Sequence, residues 1–203
     1  MNIKKFDRGM VAANCYILSD ENEAVVIDPG VSEKIIMEYL EENQLKLKFI
    51  VFTHAHIDHI LHSKELKQMT GAKTVIHELD NPLLTDSFKN GAFLFGLNNQ
   101  YEQADITVKD NDVISFSNVT LTVIHTPGHT PGGMCLYYDN CLFTGDTLFY
   151  LSIGRTDLGM GDFHDIIHSI KEKLFTYQDD VVVYPGHGKN TTIGFEKKNN
   201  TYI

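Results

Sequence analysis

Apolar positions along this chain fall into short runs bounded by Gly, Pro, Asn and Asp, broken at three points by stretches with helical spacing. Residues 15–18 and 24–27 read as two opening strands joined by the polar turn 19–23, the second ending in Asp28-Pro29-Gly30. Ser32 then stands as a cap for a helix over 32–42, on which Ile35, Ile36, Tyr39 and Leu40 make one apolar face. Residues 49–52, β-branched and aromatic, predict a buried strand. A short helix over about 61–69 closes at Thr70-Gly71, and 73–77 is the next strand.

The segment 80–105 has no clear period but carries Phe88, Phe93, Leu94, Phe95 and Tyr101. Two readings stand: a helical insertion packed on its own aromatics, or a lid over a site, since long irregular insertions are often functional. Beyond it the pattern is strand-rich. Runs 113–116 and 119–124 flank the turn Ser117-Asn118, and 134–138 joins 141–144 through Asp139-Asn140 as in a hairpin. A helix over about 163–174 and a last strand, 181–184, lead to Pro185-Gly186-His187. The strand, helix, strand rhythm of both halves predicts a duplicated α/β architecture. With 203 residues and no linker or low-complexity tract, a single domain over 1–203 is expected.

A formal net charge of -10 and the lack of a basic stripe speak against nucleic acid as a partner. No run approaches the ~18 apolar residues of a membrane span, and residues 1–9 have no apolar leader core, so a cytoplasmic protein is expected. Cys15, Cys135 and Cys141 are odd in number and sit in apolar runs, as small core residues do.

Chemistry is concentrated in Thr53-His54-Ala55-His56-Ile57-Asp58-His59, directly after the buried run 49–52. In an extended loop His54 and His56 project to one side and can share a cation, while Asp58 and His59, a step further on, suit a second. Three more candidates follow apolar strands, each with a glycine just before it: His129, Asp146 and His187. Alone each is a loop feature; together they bring ligands to one rim, because open α/β sheets place sites at the carboxyl ends of strands. Of the other histidines, His125 is the best candidate for a supporting hydrogen bond. Asp28 either orients a ligand imidazole or simply forms a turn with Pro29 and Gly30.

The set His54-x-His56-x-Asp58-His59, His129, Asp146 and His187, with Ser152-Ile153-Gly154-Arg155-Thr156-Asp157 and Pro185-Gly186-His187-Gly188, resembles the metallo-β-lactamase superfamily, and within it the glyoxalase II-like hydrolases. The resemblance implies a four-layer αββα sandwich. By matching positions it implies two divalent cations, the first held by His54, His56 and His129 and the second by Asp58, His59 and His187, with Asp146 bridging. Zinc is the default for so nitrogen-rich a set, with iron or manganese admissible. Two cations sharing a water would bring its pKa from ~15.7 towards ~7, with Asp58 aiming the nucleophile. No general acid stands out, which suits a thioester, whose thiol leaves with a pKa of ~8.5. The implied substrate is a small-molecule thioester.

Arg155 matches a glyoxalase II lysine that contacts glutathione, which predicts a carboxylate contact; a surface ion pair with Asp157 is the other reading. Departures from that pattern are Asp157 in place of a tyrosine, Leu61-His62 where relatives often have two glycines, and no extra helical domain after His187. Lys189, Lys197 and Lys198 are the nearby cations there. The same resemblance admits a persulfide dioxygenase with one iron on His54, His129 and Asp146, or a lactonase.

Overall fold

The computed structural model of the chain describes residues 1–97 and 101–203. Its first half contains β1 (Asn2–Phe6), β2 (Cys15–Asp20), β3 (Glu23–Ile27), α1 (Glu33–Glu42), β4 (Lys46–Val51), α2 (Ile57–Ile60), α3 (Ser63–Thr70), β5 (Lys73–His77) and β6 (Ile106–Val108). The second half adds β7 (Val113–Phe116), β8 (Val119–His125), β9 (Met134–Tyr138), β10 (Cys141–Gly145), β11 (Leu148–Phe149), β12 (Ser152–Ile153), α4 (Phe163–His168), β13 (Val182–Pro185), β14 (Thr191–Thr192) and α5 (Ile193–Asn199). Among the described residues, these strands form two six-stranded sheets, ordered β1-β2-β3-β4-β5-β6 and β14-β13-β10-β9-β8-β7, with β11 and β12 paired apart.

Strand alternation explains the layering. On β2, Cys15 and Ile17 face the core shared with α1 and α3, while Tyr16 and Leu18 face the other sheet. On β3, Ala24 and Val26 go to the first core and Val25 and Ile27 to the second. From the opposite sheet Leu121, Val123, Met134 and Leu136 enter the same central core, whereas Cys135 and Leu142 turn outward onto Ile166, Ile170 and Ile193. Three apolar layers therefore separate helices, sheet, sheet and helices, the expected αββα sandwich.

The helix α1 follows its signals closely. Ser32 Oγ accepts from Lys34 N, and Ile36 and Leu40 are buried. A cap of that kind contributes ~1 kcal/mol and each buried side chain ~1.5–3 kcal/mol before entropy. The helix α3 ends at Gly71 with φ of 69°, the left-handed stop a glycine provides.

Several elements differ from expectation. The chain opens with β1, paired antiparallel to β2, not with the run at 15–18. After β13 come β14 and α5, so 181–184 is not the last element. The helix expected over 163–174 is α-helical only to His168. It then widens into a π turn, Ser169–Lys173, which brings Ser169 Oγ onto Pro127 O and Lys173 Nζ onto His125 O. The segment 80–105 forms two short 3₁₀ turns, Asn81–Thr85 and Ala92–Phe95; its residues 98–100 lie outside the described residues. Phe88 stacks on Phe93 at 4.3 Å, so the insertion packs in part on its own aromatics, and Leu94 and Phe95 line a cavity.

The three cysteines are free thiols, with Cys15 and Cys135 buried and Cys141 half-buried. Among the described residues no helix is long and apolar enough to cross a membrane.

Candidate metal centre

Ligand candidates arrive from the carboxyl ends of four strands. His54 and His56 follow β4, with Asp58 and His59 on the single-turn α2; His129 follows β8, Asp146 follows β10, and His187 follows β13. The parallel pairing of β10 and β13 sets Gly145 opposite Pro185, so their loops leave the sheet side by side. A Cβ on Gly186 would collide with Asp146 Oδ1 and crowd His59, which is why only glycine fits there.

Asp28 fixes the first loop. At the end of β3 it adopts φ of 53°, and its Oδ1 accepts from Thr53 N at 2.8 Å. Its Oδ2 accepts from Thr53 Oγ1 at 2.7 Å and lies 2.9 Å from His59 Nδ1. The hydrogen bonds assign the tautomers: His59 carries its proton on Nδ1 toward Asp28, and Thr53 Oγ1, donating to Asp28, accepts from His54 Nδ1 at 3.1 Å. His129 Nδ1 donates to Arg155 O at 2.6 Å. In each ring Nε2 is thereby left facing the centre.

The seven side chains converge. His56 Nδ1 lies 2.8 Å from His129 Nε2, and His54, His56 and His129 offer ligand atoms within 4.8 Å of one another. Asp58 Oδ2 is 3.4 Å from His59 Nε2 and 3.2 Å from His187 Nε2, making a second cluster. Asp146 lies between the two, Oδ1 3.4 Å from His59 Nε2 and Oδ2 3.5 Å from His129 Nε2. His54 Nε2 and Asp146 Oδ1 are buried with no hydrogen-bond partner. An orphaned buried polar atom costs about 1–3 kcal/mol, and a cation among five imidazoles and two carboxylates would satisfy both; the residues fit divalent metal ions.

The electrostatics agree. Burial, then the neighbouring imidazoles, holds His54 well below its ordinary pKa. Burial and His129 bring His56 down to about 3. Both are thus neutral, the ligand form. For His59 burial acts downward, but Asp58, Asp146 and Asp28 outweigh it and raise the pKa to about 10. Burial likewise opposes the rise at His187, which Asp58 and Asp146 cause. Asp58 is held well below the usual carboxylate range despite burial, because His59 and His187 face it. A divalent ion takes the place of such protons on binding.

The other expectations divide. Asp28 both turns the chain and holds His59. The Arg155 side chain forms the surface ion pair, Nε to Asp157 Oδ1 at 2.7 Å and an Nη to Oδ2 at 2.9 Å, while its carbonyl supports His129. His125 bonds no ligand; its Nε2 meets Pro131 O at 2.8 Å, bracing the loop that carries His129.

Sequence reasoning missed Asp80, which is fully buried. Its Oδ2 accepts from Ala55 N at 3.0 Å and Thr130 Oγ1 at 2.8 Å, and its Oδ1 from Gly132 N at 2.6 Å, tying the His54–His56 loop to the His129 loop. Asp80 follows a strand end, as the other site residues do, and that signal could have found it. Asn14 was missed too: its N donates to Gly186 O at 2.7 Å and its Nδ2 to Pro185 O at 2.8 Å, holding the His187 loop. Asn90 O accepts from Ile57 N at 2.8 Å, joining the insertion to α2.

The model of the metallo-beta-lactamase superfamily matches residues 8–187. The chain belongs to that superfamily. It is 34% identical to the hydroxyacylglutathione hydrolase GloC of Haemophilus influenzae, over 100% of this chain and 98% of that one. Among solved structures it resembles the BLEG-1 B3 metallo-beta-lactamase, at 34% identity with a TM-score of 0.93 and 99% of each chain covered. The structure of TTHA1623 in a di-iron-bound form matches at 28% identity and a TM-score of 0.87, covering 98% of this chain and 100% of that one. These relationships make the chain a metallo-hydrolase of the superfamily.

Proposed function

We propose that this metallo-hydrolase cleaves a thioester of a small thiol, using two divalent cations. His54, His56 and His129 would hold one, Asp58, His59 and His187 the other, with Asp146 between them. Zinc suits the nitrogen-rich donors, and the di-iron form of a structural relative supports iron as an alternative. The observation that carries the reading is the convergence of seven side chains on a point where two buried polar atoms lack partners. The 34% identity to GloC supports the thioester bond as the one cleaved.

When bound, the cations would lower the pKa of a shared water towards ~7 and polarise the scissile carbonyl. The protein's own groups do the rest. Asp58, ionised at neutral pH, accepts a hydrogen bond from the attacking water and aims it. Asp28 fixes the ring of His59 through Nδ1, and Arg155 O fixes His129, so neither imidazole swings when substrate arrives. The leaving thiol, with a pKa of ~8.5, departs as thiolate and asks no general acid of the site.

The test is turnover by metal-depleted protein reconstituted separately with zinc, iron and manganese, against acyl thioesters, a lactone, a β-lactam and a persulfide. Thioester turnover dominant by kcat/KM is the expected result. Dominant lactone or β-lactam turnover, or one iron with oxygen uptake on persulfide, would overturn it.

A further inference from the structure

The site opens into a cavity of about 400 Å³ whose floor includes His56, Asp58, His129, Asp146 and His187. Above these ligand candidates the walls are apolar: Val11, Leu94, Phe95, Phe149, Ile153 and Leu158. Leu94 and Val11 are 74% and 63% exposed, so neither is there to fill the core. Val11 moreover holds φ of 53° and ψ of 25°, a conformation a β-branched residue disfavours. The backbone is held there by Ala12 N on Gly9 O and Ala13 N on Met10 O, each at 3.0 Å, and by Asn14 N on Gly186 O. Backbone strain kept at a residue whose apolar side chain is exposed at the rim of a site points to contact with a ligand. The opposite wall is as firmly placed: Asn90 accepts from Ile57 N through its carbonyl and from Ala92 N through Oδ1, at 2.8 and 3.0 Å, which sets the 3₁₀ turn bearing Leu94 and Phe95 beside α2.

Charge narrows the ligand further. Among the described lining residues Arg155 is the one cation besides the histidines, and Asp157 already engages it through two hydrogen bonds. A thiol carrier with several carboxylates would find little to pair with there.

We infer that Val11, Leu94 and Phe95 clamp the apolar acyl chain of the substrate, so that this site selects thioesters of medium-length apolar acids on a thiol without carboxylates. The inference rests on the thioester reading above and deepens it. Apolar acyl methylenes enter the clamp from water, and each one buried raises transition-state binding as well as ground-state binding.

Two measurements on the zinc-loaded protein separate this inference from the reading beneath it. The first is kcat/KM for N-acetylcysteamine thioesters from acetyl to octanoyl. The second is the calorimetric Kd of the matching S-alkyl thioethers, which cannot be hydrolysed, on N-acetylcysteamine and on glutathione. Both quantities improve by about fourfold per methylene, and the slope flattens in the double variant Leu94→Ser, Phe95→Ser but persists in Met69→Ser, an exposed change on α3 outside the cavity. If thioesters are cleaved with no dependence on chain length, or with a slope the double variant retains, the clamp is wrong and the hydrolase reading stands. If thioethers bind with the slope and the variant abolishes it, yet no thioester is cleaved, the clamp stands and the hydrolase reading falls. Glutathione thioethers binding more than tenfold tighter than their neutral counterparts would overturn the selection against carboxylates.

Discussion

Replacing Asp80 with alanine removes one carboxylate that accepts from Ala55 N, Thr130 Oγ1 and Gly132 N, three donors on two loops that carry ligand candidates. Thr130 can turn its hydroxyl, but the two backbone N–H groups are left without acceptors, at about 1–3 kcal/mol each. Against that, the buried carboxylate is itself costly to keep ionised, since burial raises its pKa in spite of those hydrogen bonds. The net loss is about 3 kcal/mol for Asp80→Ala. Asp80→Asn keeps one carbonyl oxygen and turns an amide N–H toward one of the remaining donors, a loss of roughly 2 kcal/mol. Urea unfolding in the presence of a chelator measures this without contribution from bound metal. Zinc titration of the same variants should then show affinity reduced by about 10–100-fold, as for other groups that orient ligands from behind. An Asp80→Ala protein within 1 kcal/mol of the parent, with zinc affinity unchanged, would refute the view that Asp80 holds the two loops in register.

Asp28→Asn should weaken zinc binding by about 10–100-fold with little change in far-UV circular dichroism, because His59 loses the carboxylate that orders its ring. Gly186→Ala should retain the fold but bind less than its full complement of zinc, as elemental analysis would show, since the new methyl group strikes Asp146. His77, buried and stacked on His125 at 4.1 Å, has its pKa lowered from 6.5 to about 4 by burial and then by that neighbour. Between those two values the unfolded chain takes up a proton that the folded one refuses, so stability falls as pH drops from 6.5 towards 4. At 1.36 kcal/mol per unit this contributes roughly 3 kcal/mol. In chelator, the pH dependence of urea midpoints should be shallower for His77→Asn than for the parent; parallel curves would contradict it.

How legible the molecule was depended on how local the signal is. Strands buried on both faces, such as 24–27, announce themselves as unbroken apolar runs, and the caps Ser32 and Gly71 mark helix ends within the reach of a few residues. The edge strand β1 does not, because Lys4 and Lys5 interrupt it and its partner β2 lies nine residues further on. The helix α5 is short, and its buried Glu196 is a core residue only because Thr191 Oγ1, Leu151 N and Asn200 Nδ2 surround it. The candidate ligands were visible because histidine, aspartate and glycine recur at strand ends. Asp80 and Asn14 were not, since their value lies in which backbone amides and carbonyls of distant loops they meet. The side-chain partner of Arg155 was a matter of rotamer, and Asp157 two residues away wins by proximity.

The proposed chemistry requires these seven side chains to share a pair of cations. Anomalous diffraction from crystals grown with zinc tests that directly. It should show two peaks, one among His54, His56 and His129 and one among Asp58, His59 and His187, with Asp146 contacting both. A single peak that leaves Asp58 and His187 unligated, or none at this rim, would contradict it.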